Sequence, residues 1–310
     1  MKVLLIRFSS AGDILLASEA VRALKGMKKK TSVFILTKEK FADAGAAAGA
    51  DRVLTLKKGK TPGAVKEINS FNFDAVVDLQ NNIRSFFIMS MAKSPAKAVC
   101  PKKGLKRRLM VFFKWFMNEK DSIAERYMKA VRSAVPGVKI KRRGAKKKSG
   151  KAKKVVIHDG ARWKMKRWPY MRELAVELAD KHGKEVIVTG LKSEVEKEGK
   201  MIYSKGVKDM AGKTDFRELV KIIRSADLFI GNDTAAAHIA GLSKVPAAVI
   251  LGPTVRQFGF ITPGNFIVVE KKLACRPCHP HGGDSCPIGT GECMKGIKPA
   301  DVINAVKKYL

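Results

Sequence analysis

Short apolar runs rich in Val, Ile and Leu recur along this chain, each closed by turn residues and followed by a stretch with helical spacing. The first is Val3 to Ile6. Ser9-Ser10-Ala11-Gly12-Asp13 then supplies turn and cap chemistry, and Ile14 to Leu24 places apolar residues three and four apart. Further strand-like runs lie at Ser32 to Leu36, Arg52 to Leu56 and Ala75 to Leu79, with Ala-rich or polar helical stretches between them. Strands that are apolar on both faces and separated by helices are buried in parallel sheets with helices on both sides. After the basic, low-complexity run from Lys141 to Lys154 the alternation restarts, with strands expected at Val155 to His158, Glu185 to Thr189, Leu228 to Gly231, Ala247 to Leu251 and Phe266 to Val269. Helices are expected at Met171 to Lys181, Phe216 to Ser225 and Thr234 to Gly241, and a last one from Pro299 to Tyr309. At 310 residues the chain exceeds what one core ordinarily supports. The pattern predicts two doubly wound α/β domains, 1–150 and 151–310, with ligands taken at the carboxyl ends of the strands, in a cleft between the two.

The formal charge of +34 speaks about partners rather than fold. Between Lys102 and Lys154 there are 20 Lys or Arg against Glu119, Asp121 and Glu125, so this stretch points at a polyanion. No apolar run approaches the roughly 18 residues of a membrane span. Arg7 interrupts the N-terminal apolar run, which reads as a buried strand rather than a leader, and the chain is expected to remain cytoplasmic. Five cysteines in that compartment are reduced thiols or metal ligands before they are disulfides.

Three segments can carry chemistry. Leu228-Phe-Ile-Gly-Asn-Asp-Thr-Ala-Ala-Ala-His238 runs from an apolar strand into a small-residue helix, whose N-terminal amides and partial positive charge suit a diphosphate; Thr234 can add a hydroxyl. The plain alternative is that Asp233 or Thr234 caps the helix and His238 packs in the core. In His158-Asp-Gly-Ala-Arg-Trp-Lys-Met-Lys-Arg-Trp-Pro169, a loop crowded with cations leads to a helix expected to start at Pro169. Arg162, Lys166 and Arg167 suit phosphate oxygens, or form a solvated basic loop. Asp13 is a helix cap, or an ionised carboxylate able to accept a proton from a hydroxyl.

Taken in order, Ser9-Ser-x-Gly-Asp13, Asp78-Leu-Gln-Asn-Asn-Ile-Arg-Ser85, Lys166-Arg-Trp-Pro169, Ala211-Gly-Lys-Thr214, Asn232-Asp-Thr234 with His238, and Leu251-Gly-Pro-Thr254 resemble glycosyltransferase family 9, the ADP-heptose:lipopolysaccharide heptosyltransferases and their relatives. The resemblance runs over nearly the whole chain. It implies a GT-B fold of two Rossmann-like domains, an acceptor-binding one at 1–150 and a nucleotide-sugar-binding one at 151–310, with a last helix that could pack back on the first. It implies inverting transfer of a heptose from ADP-heptose to the lipopolysaccharide inner core, an acceptor of the lipid A-Kdo type, with no cofactor required. Asp13 matches the proposed general base. Lys166 falls on the diphosphate-binding lysine, and Gly12, Ala161, Arg162, Asp209, Asp233, Thr234, Ala235 and His238 fall at or beside donor-binding positions. Arg7 and Arg84 fall on basic positions facing the acceptor. The family turn often reads Asp-Thr-Gly, whereas here Ala235 follows Thr234; Arg162 and Trp163 stand where small hydroxyl residues are common. Both departures bear on donor identity, and a GT-B transferase using another nucleotide sugar is the nearest alternative.

Cys275-x2-Cys278-x7-Cys286-x6-Cys293 is compatible with a structural zinc site or with free thiols. Lys102 to Met117 joins a cation cluster to an aromatic one. It suits an interfacial helix on the inner face of an anionic membrane, the alternative being a core helix that buries Phe112, Phe113 and Phe116. A nucleic-acid-binding protein is the distant alternative, and no nucleic acid partner is expected: RNA-recognition, KH and helix-turn-helix signatures are missing. A Rossmann oxidoreductase is disfavoured because the first turn lacks G-x-G-x-x-G.

Overall fold

The computed structural model describes residues 1–57, 60–102, 104–114, 121–139, 150–195, 206–260 and 266–310. The chain divides into two compact units, residues 1–103 with 120–143 and residues 104–119 with 144–310.

In the first unit five parallel strands, β1 (Lys2–Ile6), β2 (Ser32–Lys38), β3 (Arg52–Leu56), β4 (Ala75–Asp78) and β5 (Ala96–Val99), lie in the order β3-β2-β1-β4-β5. Around them stand α1 (Ala11–Leu16), α2 (Ser18–Lys25), α3 (Ala42–Ala47), α4 (Thr61–Ser70), α5 (Ile83–Met91) and α7 (Ile123–Ala134); α6 (Gly104–Phe113) belongs to the second unit. On one side of the sheet Leu4, Ile6, Phe34, Leu36 and Val76 meet Ile68, Phe73, Ile88 and Met89. The apolar stretch from Ile14 to Leu24 forms two helices rather than one, because Ala17 closes the first and opens the second. The short edge strand β5 lacks the apolar run that marks the other four, since alternate residues of Ala96–Val99 are exposed.

In the second unit six parallel strands, β6 (Lys154–His158), β7 (Glu185–Thr189), β8 (Val207–Asp209), β9 (Leu228–Asn232), β10 (Ala247–Leu251) and β11 (Phe266–Glu270), are ordered β11-β10-β9-β6-β7-β8. The helices are α6, α8 (Met171–Asp180), α9 (Lys192–Val195), α10 (Phe216–Ser225), α11 (Ala235–Leu242), α12 (Glu292–Lys295) and α13 (Pro299–Val306). Ile157, Val188, Ile230 and Ile250 form the core with Trp168, Leu174, Met294 and Val302. The last helix buries Val302 and Val306 in this core. Residues 104–114 go with this unit rather than with residues 1–102, because Met110 of α6 packs on Val255 and Phe258. Pro169 is exposed and precedes α8, which starts at Met171 with Tyr170 as its cap.

In both sheets the strand order reverses once, in the first between β1 and β4 and in the second between β6 and β9. Loops leaving two adjacent parallel strands on opposite faces part there and leave room for a ligand. Asp13 follows β1, and Lys166 and Asp233 follow β6 and β9.

Candidate functional site

In the second unit the switch point is knitted by Asn232. Its buried side chain accepts from Trp168 N (3.1 Å) and donates to Asp159 O (3.2 Å), so the end of β9 carries the cation-rich loop that follows β6. Trp168 is itself fixed through its indole N–H on Ile297 O at 2.8 Å. The loop thus presents Lys166 to the start of α11, where Nζ donates to Asp233 Oδ2 (2.6 Å) and faces Asp233 O (3.2 Å). Thr254 Oγ1 donates to the same carboxylate oxygen at 3.1 Å. Burial pushes the Asp233 carboxyl up, but Lys166, His238 and the Thr254 bond outweigh it and hold it below the ordinary carboxylate range. Two of the three ammonium hydrogens of Lys166 are directed at Asp233, leaving one for a ligand. Thr234 caps α11 without a side-chain bond; its Oγ1 is buried with no hydrogen-bond partner among the described residues. A helix N-terminus, a lysine and a buried hydroxyl lacking a partner together suit an anionic group.

Sequence reasoning missed the wall behind this turn. His158, at the end of β6, sets Nδ1 3.1 Å from Thr189 Oγ1 and Nε2 3.5 Å from Glu194 Oε2. Burial pushes the Glu194 carboxyl up, while His158, the Leu191 amide and Arg167 more than offset this and keep it ionised. Gly160 passes so close that a Cβ there would lie 2.1 Å from Glu194 Oε2, so any larger residue would displace this carboxylate. Arg167 is used on the Glu194 carbonyl. Arg276 is equally structural: it is buried, its Nη2 donates to Thr254 O (2.8 Å) and Glu270 Oε2 (2.9 Å), and it thereby holds the loop that delivers Thr254 to Asp233. A carboxylate four residues past a loop glycine and an Arg between two cysteines were visible in the sequence, but only the fold brings them here.

Other expected residues lie further out or in different roles. Ala161 is buried, while Arg162 is exposed and lies over the Trp163 ring at 5.0 Å. Asp209 turns its carboxylate back onto the Ala211 amide (2.9 Å). Ala235 opens α11 with helical geometry, so the Cβ where the family often has Gly brings no backbone strain. His238 is buried on α11 close enough to Asp233 to help hold it ionised.

In the first unit Asp13 and Arg7 meet at 2.8 Å with side chains 17% and 15% exposed. Asp13 Oδ2 also accepts from Ser10 N (3.1 Å) and Ser10 Oγ (3.0 Å), a capping arrangement at the start of α1. Gly12 is buried beside it in the same turn. Burial pushes the carboxyl up, but Arg7 and the Ser10 bonds overcome this and hold Asp13 ionised below the ordinary range. Arg7, expected to face an acceptor, is directed at Asp13 and at Leu79 O (2.8 Å), under the Tyr127 ring at 5.9 Å. Arg84 is exposed on α5.

None of the four clustered cysteines is joined in a disulfide. Burial, with the neighbouring Cys278, Cys275 and Cys286, raises the Cys293 thiol to about 11. Among the described residues no three His, Cys, Asp or Glu side chains are grouped as a metal shell. The loop that bears them walls the anion-binding turn: Gly283 O accepts from Met165 N (3.0 Å), and Gly282, at φ +107°, lies where a Cβ would meet Trp163 at 2.9 Å. On α6, Phe112 and Phe113 are exposed rather than core-packed, and Trp115, Phe116 and Met117 lie outside the described residues. Among the described residues no helix is long and apolar enough to cross a membrane.

Two parallel α/β units, each with polar machinery at its switch point, define a GT-B glycosyltransferase architecture. The family model described as glycosyltransferase family 9 (heptosyltransferase) matches residues 64–281, and the chain belongs to that family. Two curated relatives, both lipooligosaccharide heptosyltransferase 2 from strains of Campylobacter jejuni, are 32% identical over 154 residues (46% of each chain) and 36% identical over 107 residues (34% of this chain, 32% of the relative). The chain thus matches about half or less of the length of these relatives. The solved structure of E. coli ADP-heptose lps heptosyltransferase II superimposes with a TM-score of 0.74 at 16% identity, over 100% of this chain and 98% of that one. E. coli heptosyltransferase WaaC with ADP gives 0.73 at 17% identity, over 100% of both chains. At these identities the likeness is one of fold.

Proposed function

We propose that the protein is an inverting glycosyltransferase that moves a heptose from ADP-heptose to an inner-core acceptor of the lipid A-Kdo type. The observation that carries this reading is the turn from Gly231 to His238, where Lys166 is held at the start of α11 beside the helix amides and the Thr234 hydroxyl is buried with no partner among the described residues. Solved structures of an ADP-heptose lps heptosyltransferase and of a heptosyltransferase with ADP support the choice of nucleotide.

In this reading the second unit grips the donor diphosphate and the first supplies the base. Lys166 and the α11 N-terminus stabilise the charge that builds on the departing diphosphate. Asp13 takes the proton of the acceptor hydroxyl. A carboxylate of low proton affinity is a weak base toward a free alcohol, so the proton moves late, once the new bond to the anomeric carbon has acidified the hydroxyl. The displacement itself calls on no metal or cofactor. The exposed face of α6, with Leu105, Leu109, Phe112 and Phe113 beside Arg108, supports peripheral attachment to the cytoplasmic side of an anionic membrane, where a lipid-anchored acceptor resides.

The test is thermal unfolding with a panel of nucleotides and nucleotide sugars. ADP-heptose and ADP at a hundredfold excess over Kd are expected to add about 2.7 kcal/mol to stability, read as a rise in Tm. No rise with any nucleotide would remove the assignment, and a rise with a different nucleotide alone would replace the donor.

The Arg7 contact has a separate signature. Arg7→Met removes the cation that opposes burial, so the Asp13 pKa rises. Wild-type kcat/KM is expected to persist into acid below the usual carboxylate range, and the acid limb of the variant is expected to move to higher pH. An unmoved limb would detach Arg7 from the ionisation of Asp13.

A further inference from the structure

Helix α5 is apolar on two sides. Its inner side is settled: Ile88, Met89 and Ala92 join the core of the first unit, and Ser85 is buried at the capped N-terminus, where Asn82 accepts from Ser85 N. On the other side Ile83 is 91% exposed and Phe86 72%, with Phe87 and Met91 about half exposed. Ile83, Phe87 and Met91 are spaced by four, and Phe86 stands beside them, so the four make one outward stripe. Four large apolar side chains on one short helix exceed the scattered exposed residues of an ordinary surface.

The surrounding charge says what covers the stripe. From Leu79 to Lys103, the stretch of the first unit that holds α5, the chain has no Asp or Glu and carries five Lys or Arg. Arg84 on α5 and Lys93 just beyond it are exposed. A protein partner would be expected to meet such a face with acidic side chains around an apolar centre. A lipid surface offers a continuous apolar boundary under a sheet of negative headgroups, which matches aromatic and aliphatic side chains projecting from a basic collar. The end of α5 is also fitted to a medium poor in water, since Met89 O accepts from Lys97 Nζ (2.8 Å) and Met91 O from Asn69 Nδ2 (3.2 Å).

We propose that the outward face of α5, led by Ile83 and Phe86, inserts into the headgroup boundary of an anionic bilayer, as an anchor of the first unit separate from α6. This goes beyond the transfer reaction and stands on the surface of α5 alone. The test is sedimentation of the full chain with vesicles of phosphatidylglycerol and phosphatidylethanolamine, against vesicles of phosphatidylcholine alone. Wild type is expected to sediment with the anionic vesicles and to be released by salt. The double variant Ile83→Gln, Phe86→Gln is expected to partition about tenfold less or weaker, given the apolar area withdrawn. Phe86→Trp is expected to hold or strengthen binding, with its added fluorescence shifting to the blue on anionic vesicles. Unchanged partitioning of the double variant would overturn the proposal, as would binding that depends only on Leu105 and Phe112 of α6. A second copy of this chain as the true occupant would appear in light scattering as a wild-type dimer that the double variant dissolves, and would overturn it as well. Stabilisation by ADP, measured on the same samples, keeps the two readings apart: its loss in wild type sinks the transferase and leaves the vesicle result standing.

Discussion

Asp13→Asn is expected to lower transfer by about 10²- to 10⁴-fold, the range that a positioned general base contributes. Asparagine keeps the shape of the side chain and can still accept a bond from Ser10 N, so the turn at the start of α1 should survive. It has no charge with which to take a proton. ADP should raise the Tm of the variant as much as is expected for wild type, because the turn from Gly231 to His238 lies wholly in the second unit. Measuring kcat by product formation and binding by thermal shift separates the two effects, and near-normal turnover would take Asp13 out of the chemistry. Arg7 is left facing a neutral group in this variant, so some loss of stability is expected, and unfolding of Asp13→Asn should be followed alongside its kinetics.

Lys166→Met should be the more damaging change to the fold. Lys166 and Asp233 meet at 2.6 Å with side chains 13% and 8% exposed, so removing the cation leaves a buried carboxylate supported by Thr254 and the nearby His238 without its ion-pair partner. Breaking such a pair from one side costs about 3–5 kcal/mol, a large part of the stability of an ordinary domain. The expected readout is a lowered denaturant midpoint together with loss of stabilisation by ADP. The double variant Lys166→Met, Asp233→Asn removes both charges and should recover most of the midpoint without recovering ADP binding. Recovery of both would mean that Lys166 serves only to neutralise Asp233. The sign with pH follows from the lowered Asp233 value: the contribution of the pair is full above the unfolded carboxylate pKa and is lost as pH falls through the lower folded one.

Much of the fold was legible because its strands are buried on both faces. Val3 to Ile6, Val155 to His158 and Leu228 to Gly231 are continuous apolar runs, and such runs have few other places to go. The strands that escaped notice, Ala96–Val99 and Val207–Asp209, are edge strands with exposed or half-exposed residues and no apolar run to betray them. The anion turn was legible for a related reason, since a strand that ends in Gly-Asn-Asp-Thr before a run of alanines announces an open helix N-terminus. Glu194 and Arg276 were not, because their roles depend on partners 36 and 22 residues away, His158 and Thr254.

By itself, the sequence determined the two doubly wound units, the family, and the placing of Asp13, Lys166 and the Gly231 to His238 turn at the carboxyl ends of strands. These follow from local order: apolar period, turn chemistry, and motifs that keep their succession along the chain. Only the tertiary structure decided what each charge faces. It set Arg7 against Asp13, paired Lys166 with Asp233, set residues 104–113 in the second unit, and left Ile83 and Phe86 of α5 in the open. Burial and ion pairing depend on residues far apart in the chain, and an apolar side chain carries no local sign of whether it faces a core or a surface.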